Sequence, residues 1–189
     1  MKRFHTLMTM VAIAMLSFTV TSCDEDEAIA YTLEGTWEGN IYVSHRYDGR
    51  YYDASYSYVY FDRDFSRSAT GYGYWIDEYS NAPWDYVANH IRWEVRNRDI
   101  EVYFEEDDYY VTIYNYSLSD RYFEGYIYTY DKKKVHFNLV KTSSPNWNNY
   151  HYGWEYWGYD YYAKQSGFEG TRASSADVEK PQRVFRVKE

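Results

Sequence analysis

The chain has 189 residues, a formal net charge of −9, 23% aromatic residues and a single cysteine. An acidic balance of this size excludes nucleic acid as a partner, because like charges repel. One cysteine excludes an intrachain disulfide, and the length fits one domain.

The first residues read as an export signal. Lys2 and Arg3 precede the apolar run Leu7–Val20, which small hydroxyl residues interrupt. That run is shorter than the roughly 20 residues a membrane-spanning helix needs. Val20-Thr21-Ser22-Cys23 follows and resembles a lipobox. The resemblance implies removal of residues 1–22 as a signal peptide and attachment of diacylglycerol to the Cys23 sulfur. The membrane is then a partner through N-terminal acyl chains, of which at least two are needed for stable anchoring. Residues 23–32 are expected to be an acidic tether. Asp24-Glu25-Asp26-Glu27 is a run of like charges that stays solvated, and it resembles signals that send lipoproteins to the outer face of the outer membrane.

Residues 33–142 read as one all-β domain. Tyr, Phe and Trp dominate and suit half-buried pleated surfaces. The apolar pattern has period two, and eight runs stand between turn signals. The first spans 36–45, with Trp37, Ile41 and Val43 on one face. The second spans 55–62, with Val59 and Phe61 opposite Tyr56, Tyr58 and Tyr60. The third spans about 68–77, where Gly71 and Gly73 allow a bend. The fourth spans 87–96, with Ile91, Trp93 and Val95 facing one way. Asn97-Arg98 turns tightly into the fifth, 100–105, with Ile100, Val102 and Phe104 inward. The sixth spans 109–118, the seventh 122–130 and the eighth 134–141, where Val135, Phe137 and Leu139 point inward.

Short turns force neighbouring antiparallel pairing. An eight-stranded up-and-down meander has two edges, and closure into a barrel removes both. A β-sandwich is the alternative that strand count and alternation also fit. Residues 143–164 are crowded with Trp147, Trp154, Trp157 and tyrosines, too apolar to remain freely solvated, so they cover the barrel or bind something. Residues 165–189 lack periodicity and are expected to be a disordered tail.

Gly35-Thr36-Trp37 at the start of the first run resembles the opening of lipocalin barrels, and Phe123-Glu124-Gly125-Tyr126-Ile127 resembles a late strand of small bacterial lipocalin-like lipoproteins. The resemblance covers roughly residues 33–141. It implies a tryptophan closing one end of the barrel and an interior that carries a small apolar ligand or a barrel that meets a protein partner. The candidate interior wall is Val43, Val59, Phe61, Trp75, Trp93, Phe104 and Phe137. The alternative is a glycan-binding lipoprotein of a polysaccharide-uptake system, using Trp147, Trp154 and Trp157 as surface contacts. A third reading is a structural accessory protein of the envelope.

No chemistry-bearing motif stands out. There is no Gly-x-Ser-x-Gly elbow, and acylation would consume the one thiol. His45, His90, His136 and His151 lack metal-ligand spacing and are expected on the surface. Glu105-Glu106-Asp107-Asp108 lacks the glycine of a calcium loop and is expected to be a solvated hairpin tip. The expectation is a binding protein that is not an enzyme and uses no metal or cofactor. The sequence sets no oligomeric state.

Overall fold

The computed structural model describes residues 25–129, 133–154 and 180–186. Cys23, the signal peptide, Trp157 and residues 165–179 and 187–189 of the tail lie outside the described residues.

The strands are β1 (Gly35–Asn40), β2 (Val43–Tyr47), β3 (Arg50–Asp53), β4 (Tyr56–Arg63), β5 (Thr70–Glu78), β6 (Tyr86–Arg96), β7 (Asp99–Phe104), β8 (Tyr109–Leu118), β9 (Tyr122–Thr129), β10 (Lys134–Thr142) and β11 (Gln182–Phe185). Eight of them close an antiparallel barrel in the order β1-β10-β9-β8-β7-β6-β5-β4. The chain therefore meanders, and β1 seals the ring by pairing with both β10 and β4. Inward positions alternate along the barrel strands, as a half-buried pleat requires, with one break at a register shift in β8 between Tyr114 and Ser117. Trp37, Phe61, Trp75, Trp93, Phe104, Phe123 and Phe137 converge in one core.

Gly71 and Gly73, where the sequence allows a bend, lie instead within a continuous β5 in regular register. They lie opposite Trp93 and Ile91 on β6. A β-carbon at Gly71 would collide with the Asp62 carbonyl and the Trp93 ring, and one at Gly73 with the Tyr60 carbonyl. The missing side chains let the large β6 residues occupy the interior on that side.

Two caps close the barrel. Residues 25–33 are helical (α1) and bury Ala30 and Leu33 against one end. The Leu33 carbonyl accepts a hydrogen bond from Trp37 Nε1 at 2.7 Å. The Asp26 carboxylate accepts from the Asn97 and Arg98 N–H groups at 3.0 and 2.9 Å. Both of those turn residues have positive φ, which aims their amides together. The expected solvated tether is corrected here: from residue 25 the chain is helical, and Asp26 is buried because it satisfies that turn.

At the opposite end the first predicted run divides. The Asn40 side chain accepts from Tyr42 N–H at 2.7 Å, and Tyr42 takes φ 55°. The chain thereby leaves the barrel and forms the β2–β3 hairpin, which β11 joins as a three-stranded sheet in the order β11-β2-β3. The tail expected to be disordered is thus a paired strand at 182–185, with Phe185 in the core. Its pairing partner, the β2 edge, has no local sequence signal.

Candidate functional site

Six of the seven proposed wall residues lie on barrel strands and Val43 lies on β2 in the capping sheet; all share one core, each at most 3% exposed. They pack on one another or on other interior rings. Phe61 meets Trp93 edge-on at 5.7 Å, Trp75 lies 5.0 Å from Phe104, and Phe137 lies 4.8 Å from Phe123. Trp37 packs edge-on against Phe123 at 5.6 Å. Eight strands leave an interior just wide enough for side chains to fill, and large aromatic residues fill it here.

The outer face carries two neighbouring cross-strand rows. One is Tyr60–Tyr74–His90, on β4, β5 and β6. The 143–154 segment covers it. Trp147 stacks on Tyr60 and lies against Tyr74, at 5.5 and 5.2 Å. Tyr152 lies 5.1 Å from Tyr74 and 4.0 Å from His90. Burial, then the nearby Tyr74 and Glu106, push the Tyr152 hydroxyl above its ordinary pKa. Farther along, Trp154 is 8% exposed and joins Tyr47, Tyr79, Trp84 and Val87 in a second apolar cluster. Trp154 is therefore a packing residue and not the surface contact expected. Trp147 is half-buried against the barrel.

The second row is open. Pairing aligns Asp62, Tyr72, Arg92, Tyr103 and Tyr110 across β4 to β8. Tyr72 is 55% and Tyr110 60% exposed. The Tyr103 and Tyr110 rings lie 4.5 Å apart at 31°. The Arg92 guanidinium sits 5.5 Å from the centre of the Tyr72 ring and donates to Glu105 at 2.5 Å. That bond raises the Arg92 pKa and fixes the charge. Tyr103 donates to Asp108 at 3.0 Å, and this bond is the main reason its hydroxyl pKa is raised. Glu94 and Glu101 face each other in the adjacent row. Together with Asp64 and Thr70 they border a hollow of about 240 Å³, floored at Gly71 and Trp93. The result is an exposed aromatic wall that carries Arg92, with the carboxylates of Asp62, Asp64, Glu94, Glu101, Glu105 and Asp108 around it, of which Glu94 and Glu101 are paired with Arg96.

The barrel mouth under β11 holds a buried polar cluster. The Arg183 side chain is 2% exposed, and its guanidinium bonds Asp77, Asn89 and Asp107. It lies 4.5 Å from the centre of the Phe104 ring. Burial opposes its charge, but Asp77 and Asp107 outweigh that and raise its pKa. His45 and Tyr79 are hydrogen-bonded beside it. Burial, then the positive charges of Arg183 and Lys180, hold His45 well below its ordinary pKa. Two expectations are corrected. His45 is 1% exposed and not a surface histidine. The 105–108 tip is tied down, with Asp107 bonded to Arg183 and Lys180, and Glu106 to His90.

Sequence reasoning missed Tyr72, Arg92, Tyr103 and Tyr110 as a set. Each is an outward position in its run, but only strand register brings them into line. Arg183 had one weak signal, the adjacent strand-favouring Val184 and Phe185, in a segment otherwise without pattern.

The fold defines a protein built on a closed, eight-stranded antiparallel β-barrel. Neither a protein-family model nor a curated protein sequence matches the chain. Among solved structures the chain is similar to a redesigned β-barrel, at 15% identity and a TM-score of 0.40, covering 61% of this chain and 96% of that one.

Proposed function

We propose that this is a non-enzymatic, lipid-anchored envelope protein that binds glycan on its outer barrel face. The observation that carries the reading is the open row Tyr72–Arg92–Tyr103–Tyr110 beside Asp64, Glu94 and Glu101. The C–H face of a sugar ring stacks on an aromatic ring, while its hydroxyls need fixed donors and acceptors. The row offers both over adjacent strands. Asp62, Asp64, Glu94, Glu101, Glu105 and Asp108 outnumber Arg92 and Arg96, and this excess of carboxylates favours neutral or amino sugars over acidic ones.

An apolar cargo inside the barrel is the weaker reading, since the proposed wall residues are buried against one another. The lipocalin-like resemblance is retained for the scaffold, whose Trp37 is fixed to the cap formed by α1. The anchor reading rests on the lipobox-like Val20–Cys23 and the acidic residues behind it, with display on the outer face of the outer membrane.

Binding of the purified chain to an array of immobilised polysaccharides tests the site. Tyr110→Ala and Arg92→Ala are each expected to cut retention on the positive polysaccharides at least tenfold while leaving the circular dichroism spectrum unchanged. Undiminished retention in both variants excludes this row. The anchor is tested separately. Cys23→Ser should abolish incorporation of labelled palmitate and release the protein from the membrane fraction.

A further inference from the structure

β11 is held as a ligand is held. It adds to the edge of β2 with the register Gln182↔Arg46 to Phe185↔Val43, and the Arg186 N–H donates to the Tyr42 carbonyl at 3.1 Å. Strand addition of this kind takes its affinity from the main chain and its specificity from side-chain pockets. Two such pockets are present. Phe185 enters the core beside Trp75, with ring centres 6.3 Å apart. Arg183 enters the acidic mouth.

The charges divide cleanly between the two sides. Lys180 pairs with Asp107 at 3.0 Å, Arg183 with Asp77 and Asp107, and Arg186 with Asp53 at 3.4 Å. Every cation in these pairs comes from residues 180–186 and every carboxylate from the body. The basic residues fall at intervals of three along the segment.

Two of the three acceptors of the Arg183 guanidinium, Asp77 and Asn89, are held by the barrel's own residues. Asp77 accepts from Ser57 at 2.7 Å and from Trp75 Nε1 at 3.0 Å. Asn89 donates to Glu106 at 3.3 Å, and Glu106 is held by the His90 N–H at 2.8 Å. Phe104, which lies under the guanidinium, is fully buried in the barrel core. The guanidinium site is thus preorganised by the barrel, which lowers the cost of filling it.

We propose that the barrel mouth is an exchangeable strand-docking site. It recognises an extended segment with basic residues three apart and an aromatic ring two residues after the central arginine. The chain fills the site with its own β11, and the same strand of a second copy fills it in trans. Twenty-five residues, 155–179, separate Trp154 from Lys180 in the sequence, enough chain for the strand to be supplied by either copy, with tethering favouring the chain's own.

The test uses the full chain and a fluorescein-labelled peptide of residues 180–186. Arg183→Gln in the chain weakens the resident strand. The peptide is expected to bind this variant at least tenfold more tightly than the wild type, and a peptide carrying the same change is expected to lose that gain. Equal binding to both chains, with the variant folded, overturns the proposal. Hydrogen exchange on the wild type supplies an independent reading should the variant not fold. The β11 amides, Arg186 N–H among them, are expected to exchange at least tenfold faster than those of Trp75 and Trp93. Equal rates would make β11 part of the cooperative core and overturn the proposal on their own.

Discussion

Two rows on the outer barrel face sit side by side and have opposite fates. Tyr60–Tyr74–His90 is roofed by Trp147 and Tyr152, whereas Tyr72–Arg92–Tyr103–Tyr110 faces water, although Tyr72 and Tyr74 are only two residues apart on β5. Both are rich in tyrosine. What separates them is charge. The open row carries Arg92, with Asp62 at its end and Glu94 and Glu101 beside it. Roofing those groups with a tryptophan would strip water from ions at high cost, while roofing tyrosines and a histidine removes apolar surface from water at a gain. The chain's own aromatic segment therefore takes the row with fewer ionic groups and leaves the more highly charged one free.

The largest contrast lies in stability. Tyr74 touches Tyr60, His90, Trp147 and Tyr152. Tyr74→Ala should destabilise the fold by about 2 kcal/mol in chemical denaturation, below the range for fully buried rings because Tyr74 is half-buried. A loss below about 0.5 kcal/mol would mean that the roof is not a packed layer.

Burial also leaves a signature in pH that the open row lacks. His45 titrates in the folded protein well below its ordinary value of 6.5. The unfolded chain thus takes up a proton first as pH falls, so the stability tied to neutral His45 is complete above about pH 6.5 and declines below it. The decline is about 1.4 kcal/mol per pH unit until the depressed folded value is reached. His45→Gln should remove that slope while the carboxylate contribution persists. Parallel pH–stability curves for the two proteins would contradict the burial of a neutral histidine.

Smaller changes sharpen the comparison. Trp147→Ala removes the stack on Tyr60 and should cost about 1 kcal/mol, with increased quenching of tyrosine emission by acrylamide. If instead the melting temperature is unchanged, the covering of the first row is incidental. At the bottom of the scale, Tyr110→Ala should leave stability within about 0.5 kcal/mol of the wild type. Its effect belongs to glycan retention alone, and a stability loss as large as that of Tyr74→Ala would erase the distinction between the rows.

The barrel was readable from the amino acids because period-two alternation reports on local burial. Seven barrel strands lie within two residues of their runs, the first run splits into β1 and β2, and Val59, Phe61, Trp93, Phe104 and Phe137 all point inward as their alternation indicates. What escaped depends on contacts distant in sequence. Asp26 becomes buried through the 97–98 turn, and His45 through Tyr79. Arg183 is drawn into Asp77, 106 residues away along the chain. Like charges in sequence suggest solvation only while their counter-charges are unknown, and at Asp107 the counter-charges arrive from the C-terminal strand. The open row was hidden for a related reason. Tyr72, Arg92, Tyr103 and Tyr110 are ordinary outward residues until register sets them in one line.

The proposed glycan contact lies on the outer row and not in the barrel interior. Titration of the isotopically labelled chain with an oligosaccharide from the strongest array polysaccharide, followed by nuclear magnetic resonance, gives the most direct answer. Ring signals of Tyr72, Tyr103 and Tyr110 are predicted to shift together, while the indole signals of Trp37 and Trp75 inside the barrel stay in place. Shifts concentrated on those two interior indoles, with the tyrosine row unmoved, would contradict an external site.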